Sequence, residues 1–86
     1  MLNHKLLISY GFVLNEYREG KFYELIVQEP TATLLSALGY GYDPEMIPEK
    51  VIFQIGDDFS GVRIAVDGNV WDVLIDGFEE VLKALW

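Results

Sequence analysis

Residues 69–86 read NVWDVLIDGFEEVLKALW, and the architecture turns on whether this run is one helix. Its large apolar residues are Trp71, Leu74, Ile75, Phe78, Val81, Leu82, Leu85 and Trp86. They recur at spacings of three and four, the period of a single buried helical face. Asp72, Asp76, Glu79, Glu80 and Lys83 fall on the opposite side. Asn69 is positioned as an N-cap, and Asp72, three residues on, is close to a capping box and favours the positive end of the helix dipole. The spacing predicts a long amphipathic helix over 69–86 with Gly77 at an ordinary helical φ. A rival reading makes Val70 to Ile75, rich in β-branched and aromatic residues, a fifth strand after an Asp67-Gly68 hairpin signal. Asp76 would then cap a shorter helix, and Gly77, which costs a helix interior about 1 kcal/mol relative to alanine, agrees with it. Against it, that strand would put Val70, Asp72, Leu74 and Asp76 on one face, a poor alternation. The long helix is the favoured reading.

Upstream the period drops to two. Leu6, Ile8, Tyr10, Phe12 and Leu14 alternate with Leu7, Ser9, Gly11, Val13 and Asn15, which predicts a half-buried strand with the first set inward. Gly11 marks a bulge or a close crossing in it. Residues 16–20 read as a hairpin loop. Lys21 to Gln28 resumes the alternation, with Tyr23, Leu25 and Val27 facing together. Pro30 ends that strand. A short helix follows, with Thr31 as N-cap, Leu34, Leu35 and Leu38 on its apolar side, and Gly39 just past its end. Residues 40–48 form an apolar loop. Two more strands, Lys50 to Ile55 and Gly61 to Val66, face Val51, Phe53, Ile55, Val62, Ile64 and Val66 inward around a Gly56–Gly61 turn. The expected fold is α+β: a four-stranded antiparallel sheet in ββαββα order, with the C-terminal helix packed across one face.

Eighty-six residues make one domain near the small end of what folds alone. Such a chain buries only roughly 60–65% of its unfolded surface. Yet 51% of it is hydrophobic and its mean hydropathy is +0.20, so apolar surface is left for another chain to cover. A homo-oligomer is therefore expected. Val73, Gly77 and Ala84 would form a strip of small side chains on the long helix that admits a second backbone.

The formal charge is −8, and it is uneven. Residues 1–43 hold five acids against three bases, and residues 44–86 hold nine against three. Such a surface repels nucleic acid and anionic membrane and steers basic partners inward; the plainer reading is that it only keeps an apolar chain dispersed. There is no cysteine, which removes disulfides, thiolate zinc sites and cysteine nucleophiles and fits a cytoplasmic setting. No apolar run approaches the ~20 residues that span a bilayer. The N-terminal segment has a lysine and a short apolar stretch, but no small-residue cleavage site.

Catalytic chemistry finds little purchase. His4 is the single histidine and lies near the chain end, with no second ligand or base. Ser9, Ser36 and Ser60 have no adjacent base. The carboxylate pairs Asp57-Asp58 and Glu79-Glu80 fall on a turn and a polar helix face, where solvent opposes the raised pKa a general acid needs. Asp67, Asn69 and Asp72 loosely suggest calcium but do not follow the twelve-residue loop pattern, and a turn plus a cap explains them. No enzyme and no cofactor is expected. Tyr40, Tyr42, Met46 and Ile47 crowd the loop as a lid over the sheet's second face, which carries Leu7, Val13, Phe22, Ile26 and Ile52, or as a binding surface; either way this surface is the one expected to be partly uncovered. The expected function is an acidic protein-binding inhibitor that mimics nucleic acid. It would place Asp72, Asp76, Glu79 and Glu80 of the helix, extended by Asp57, Asp58 and Asp67 and assisted by Tyr40 and Tyr42, on the basic surface of a nucleic-acid-handling partner. The alternative is an assembly subunit whose acids serve solubility alone.

Overall fold

A computed structural model describes residues 2–41, 43 and 45–85. The chain is α+β, with three short helices and five strands. In order these are α1 (His4–Ser9), β1 (Val13–Tyr17), β2 (Gly20–Gln28), α2 (Ala32–Ala37), β3 (Lys50–Gly56), β4 (Val62–Val66), β5 (Asn69–Val73) and α3 (Phe78–Lys83). The strands form one antiparallel meander in chain order, β1-β2-β3-β4-β5. The expected α+β class and antiparallel pairing hold; the count of four strands and the long C-terminal helix do not.

The rival reading of residues 70–75 is the correct one as far as Val73. Asp67 and Gly68 both have positive φ, 49° and 82°, which is the two-residue turn whose twist matches a hairpin. It returns the chain so that Asn69 lies opposite Val66, Trp71 opposite Ile64 and Val73 opposite Val62. Asn69 thus opens a strand instead of capping a helix. The helix begins only at Phe78. Its N-cap is Gly77, at φ 86° with no side-chain cap, so Asp76 does not cap it either. The proposed strip of Val73, Gly77 and Ala84 is dispersed over a strand, a cap and a helix end. Helical and extended periods compete here because Trp71 reaches the core under either one, whereas Val73 does so only in the strand.

The N-terminal strand is also corrected. Asn3 accepts a hydrogen bond from the Leu6 amide at 2.9 Å and caps α1, which buries Leu7 in place of Leu6 and Ile8. The helix closes with Gly11 N–H to Ile8 C=O and Phe12 N–H to Leu7 C=O, both 3.0 Å, the paired bonds of a Schellman end. Helix α2 ends the same way: Gly39 donates to Ser36 and Tyr40 to Leu35, again at 3.0 Å. The two ends share a pattern, leucine, three residues, glycine, aromatic, at residues 7–12 and 35–40. The expected α2, with Thr31 bonded to the Leu34 amide at 3.1 Å, is found as read.

One face of the sheet and the three helices enclose the core. Tyr23, Leu25, Val27, Val51, Phe53, Ile55, Val62, Ile64 and Val66 meet Leu7, Phe12, Leu34, Leu35, Phe78, Leu82 and Leu85. Phe53 is central, edge-on to Phe78 at 5.3 Å between ring centroids and tilted against Phe12 at 6.4 Å. No described element lies over the other face.

Candidate binding surfaces

The turns between β1 and β2 and between β3 and β4, and the exit of β5 into α3, share one end of the sheet, because the strands alternate in direction. This end carries most of the expected acidic residues. Asp57 and Asp58 line an open depression of about 580 Å³ together with Asp72, Arg63, Gln54 and Phe22. Phe59, next in the same turn, lines a second depression of about 570 Å³ with Leu2, Ile75, Asp76, Glu79 and Glu80. The turn of residues 57–60 is therefore a wall with carboxylates on both sides. Its shape is set by Phe59, held at φ 56° with its ring 5.7 Å from that of Tyr23. A bulky residue adopts that region only when its surroundings impose it. The half-buried ring anchors the turn and leaves its aspartates in solvent.

The carboxylates differ in their partners. Asp58 Oδ1 accepts from the Ser60 hydroxyl at 2.9 Å and from its amide at 3.1 Å. Those bonds hold its carboxyl below the ordinary value. Asp72 accepts from Arg63 Nε, and Glu80 from Lys83 Nζ at 3.2 Å, both in solvent. Glu79 is half-buried. The single helical line of Asp72, Asp76, Glu79 and Glu80 does not exist: Asp72 is on β5, Asp76 in the connection, and the two glutamates in the first turn of α3. Asp67 does not extend the group, since the β4–β5 turn is at the opposite end of the sheet. No group of three or more acidic or histidine side chains among the described residues is arranged to hold a metal ion. Tyr40 is half-buried, its ring stacked on Trp71 at 6.1 Å and 3°, so it covers the β5 side of the core face and not the second face that the lid was expected to cover. Tyr42 lies outside the described residues. His4 is not loose: its Nδ1 is 2.7 Å from the Tyr23 hydroxyl.

The second face of the sheet, expected to be lidded by the loop, is open. Its central row runs across all five strands as Val13, Glu24, Gln54, Arg63 and Asp72. Beside it run Ile26, Ile52, Ala65 and Val70. Val13, Ile26 and Val70 are 58%, 53% and 59% exposed, so the face is both apolar and wet. Glu24 is its fixed point. Oε1 accepts from Asn15 Nδ2 at 2.7 Å and from the Tyr17 hydroxyl, and Oε2 accepts from Gln54 Nε2 at 2.8 Å. Partial burial pushes this carboxyl up, but the bonds from Tyr17, Gln54 and Asn15 outweigh it and hold Glu24 below its usual range. The same bond pushes the Tyr17 hydroxyl up. Glu24 was hidden in the sequence because its three donors come from β1 and β3, up to thirty positions away. The alternation alone marked it as outward. No helix among the described residues is long and apolar enough to cross a membrane. Comparison of the chain with family models, curated proteins and solved structures finds no match, so the functional reading rests on its own residues.

Proposed function

We propose that this chain is a small acidic protein-binding module that inhibits a partner by occupying a basic surface which otherwise holds nucleic acid. The observation that carries the reading is the grouping of Asp57 and Asp58 on one side of a single turn with Asp76 and Glu80 on the other, all exposed. The open sheet face does not share this excess. Its formally charged residues are Glu24 and Asp72 against Lys50 and Arg63, which balance. The chain's −8 is thus carried by its turns and connections, since the helices hold Lys5, Glu79, Glu80 and Lys83, which balance, and the share held by Asp57, Asp58 and Asp76 steers a basic partner to this end. A carboxylate general acid is disfavoured, since Glu24 and Asp58 are both pushed towards the charged form.

The test is neutralisation of Asp57, Asp58 and Asp76 to Asn and Glu80 to Gln in one variant. Exposed carboxylates contribute little to folding, so the fold should survive. Binding to a basic protein partner is expected to fall by more than tenfold. The wild-type interaction should weaken steadily as salt is added. Undiminished binding by the variant would overturn the reading. The assembly-subunit alternative draws on a different observation, the uncovered sheet face.

A further inference from the structure

From the pattern of the uncovered face we infer that two copies of this chain pack open face to open face, with a two-fold axis along β3 that sets Glu24 of each against Arg63 of the other. In a two-fold interface residue i meets j and j meets i, so the surface must complement itself. The central row satisfies this. Glu24 on β2 and Arg63 on β4 flank Gln54 on β3, one strand to each side. Strands are ~4.8 Å apart, so rotation about the line of β3 carries each of these residues onto the position facing the other. Gln54 then faces its counterpart. In the next row Ile52 faces Ile52 of the second copy, and Ile26 faces Ala65. Around the axis apolar meets apolar and Glu24 meets Arg63 in one operation, while at the margin Val13 faces Asp72 of the second copy.

Three features fit this occupant better than a basic protein. The face is charge-balanced although the chain is not; rotation about β3 keeps the strand direction, so both acidic ends lie at the same end of the dimer and weaken it. Lys50 is the like-charged pair near the axis, but it lies at the end of β3, away from the central row, and is exposed. Glu24 is already held by three donors, so little side-chain freedom is lost when the pair forms. Arg63 gives its Nε to Asp72, and a guanidinium carries five donors, enough to serve Asp72 and Glu24 of the second copy together. Aligned sheets pack ≈10 Å apart at about −30°, the geometry of a β-sandwich. Five strands by about five residues give a flat footprint of roughly 400 Å² per copy at these spacings. That is about 800 Å² in total, below the range of stable specific interfaces, so the dimer is weak and reversible.

The experiment is sedimentation velocity of the whole chain from about 5 µM to about 1 mM, a range set to bracket that interface class. Wild type should pass from monomer to dimer. Glu24→Arg alone and Arg63→Glu alone each place like charges in both pairs, and each should stay monomeric. An equimolar mixture of the two variants matches every pair again, and should restore the dimer as a heterodimer. Far-UV circular dichroism checks each fold. If either charge variant does not fold, Ile26→Lys, an exposed change, decides: loss of the dimer supports the arrangement and its retention overturns it. The arrangement is also overturned by a wild type that stays monomeric, by charge variants that dimerise as wild type does, or by a mixture that does not reassociate. None of these outcomes bears on the acidic end, whose partner binding is measured separately.

Discussion

Arg63 donates its Nε to Asp72 Oδ1 at 3.1 Å across the β4–β5 pair. The two residues are direct cross-strand partners. Asp72 therefore belongs to the charge-balanced face, where it is paired with Arg63 while bordering the same depression as Asp57 and Asp58. Both side chains are well exposed, and exposed pairs contribute about 0.2–1 kcal/mol. Asp72→Asn should lower stability by no more than that in urea unfolding. It should also reduce binding to a basic partner far less than neutralising Asp57, Asp58, Asp76 and Glu80. An equal loss from Asp72→Asn alone would move the binding surface onto the sheet.

Gly77 reverses the expectation attached to a continuous helix. There, alanine would stabilise. At φ 86° an alanine meets the left-handed region, although no neighbouring atom lies within 4 Å of its Cβ. The cost is then purely conformational, about 1–2 kcal/mol. Gly77→Ala should lower the urea midpoint with an unchanged slope. A raised midpoint would restore the long helix.

The Glu24 network makes stability depend on pH with a defined sign. Its folded carboxyl titrates below the unfolded value of about 4.3. The unfolded chain therefore binds the proton first as pH falls. The stabilisation is complete above the unfolded value and is lost as pH drops through the folded one. Glu24→Gln should cost about 1 kcal/mol at pH 7, the scale of a net hydrogen bond. The gap between variant and wild type should narrow in unfolding curves taken at successively lower pH once the pH falls below the unfolded value. A gap independent of pH would mean that the charge of Glu24 contributes nothing.

Tyr40 stacks on Trp71 at 3° between ring planes, which closes the loop over the β5 side of the core. Tyr40→Ala should destabilise by at least the ~0.5–1.5 kcal/mol of an aromatic pair. It should leave partner affinity unchanged. A loss of affinity without loss of stability would return Tyr40 to the binding surface.

The central strands were legible because β2, β3 and β4 alternate without interruption, from Tyr23-Leu25-Val27 through Val51-Phe53-Ile55 to Val62-Ile64-Val66, and all nine are buried or nearly so. The same holds for α2, where Thr31 and Gly39 bracket the leucines. The ends of the chain were misread for opposite reasons. In residues 6–10 an apolar run satisfies both periods, and the deciding group is the Asn3 cap just outside it. In residues 69–83 a strand and a helix follow each other with four residues between them, and their apolar positions merge into one helical spacing. The acidic end was half visible. Asp57 and Asp58 were placed in a turn, but the turn's position beside Asp76 and Glu80 follows from strand directions, which local periodicity does not contain. Glu24 and Arg63 became partners of a single face only once the register of β2, β3 and β4 was set.

The most direct test of the acidic end is a paired capture from cell extract, with wild type on one support and the Asp57→Asn, Asp58→Asn, Asp76→Asn, Glu80→Gln variant on another. Each captured protein is then titrated in purified form across salt, with and without duplex DNA as competitor. The account predicts a basic protein retained by wild type alone, bound more weakly as salt rises, and displaced by the duplex. A partner held equally by both supports, with an affinity indifferent to salt and to DNA, would contradict it.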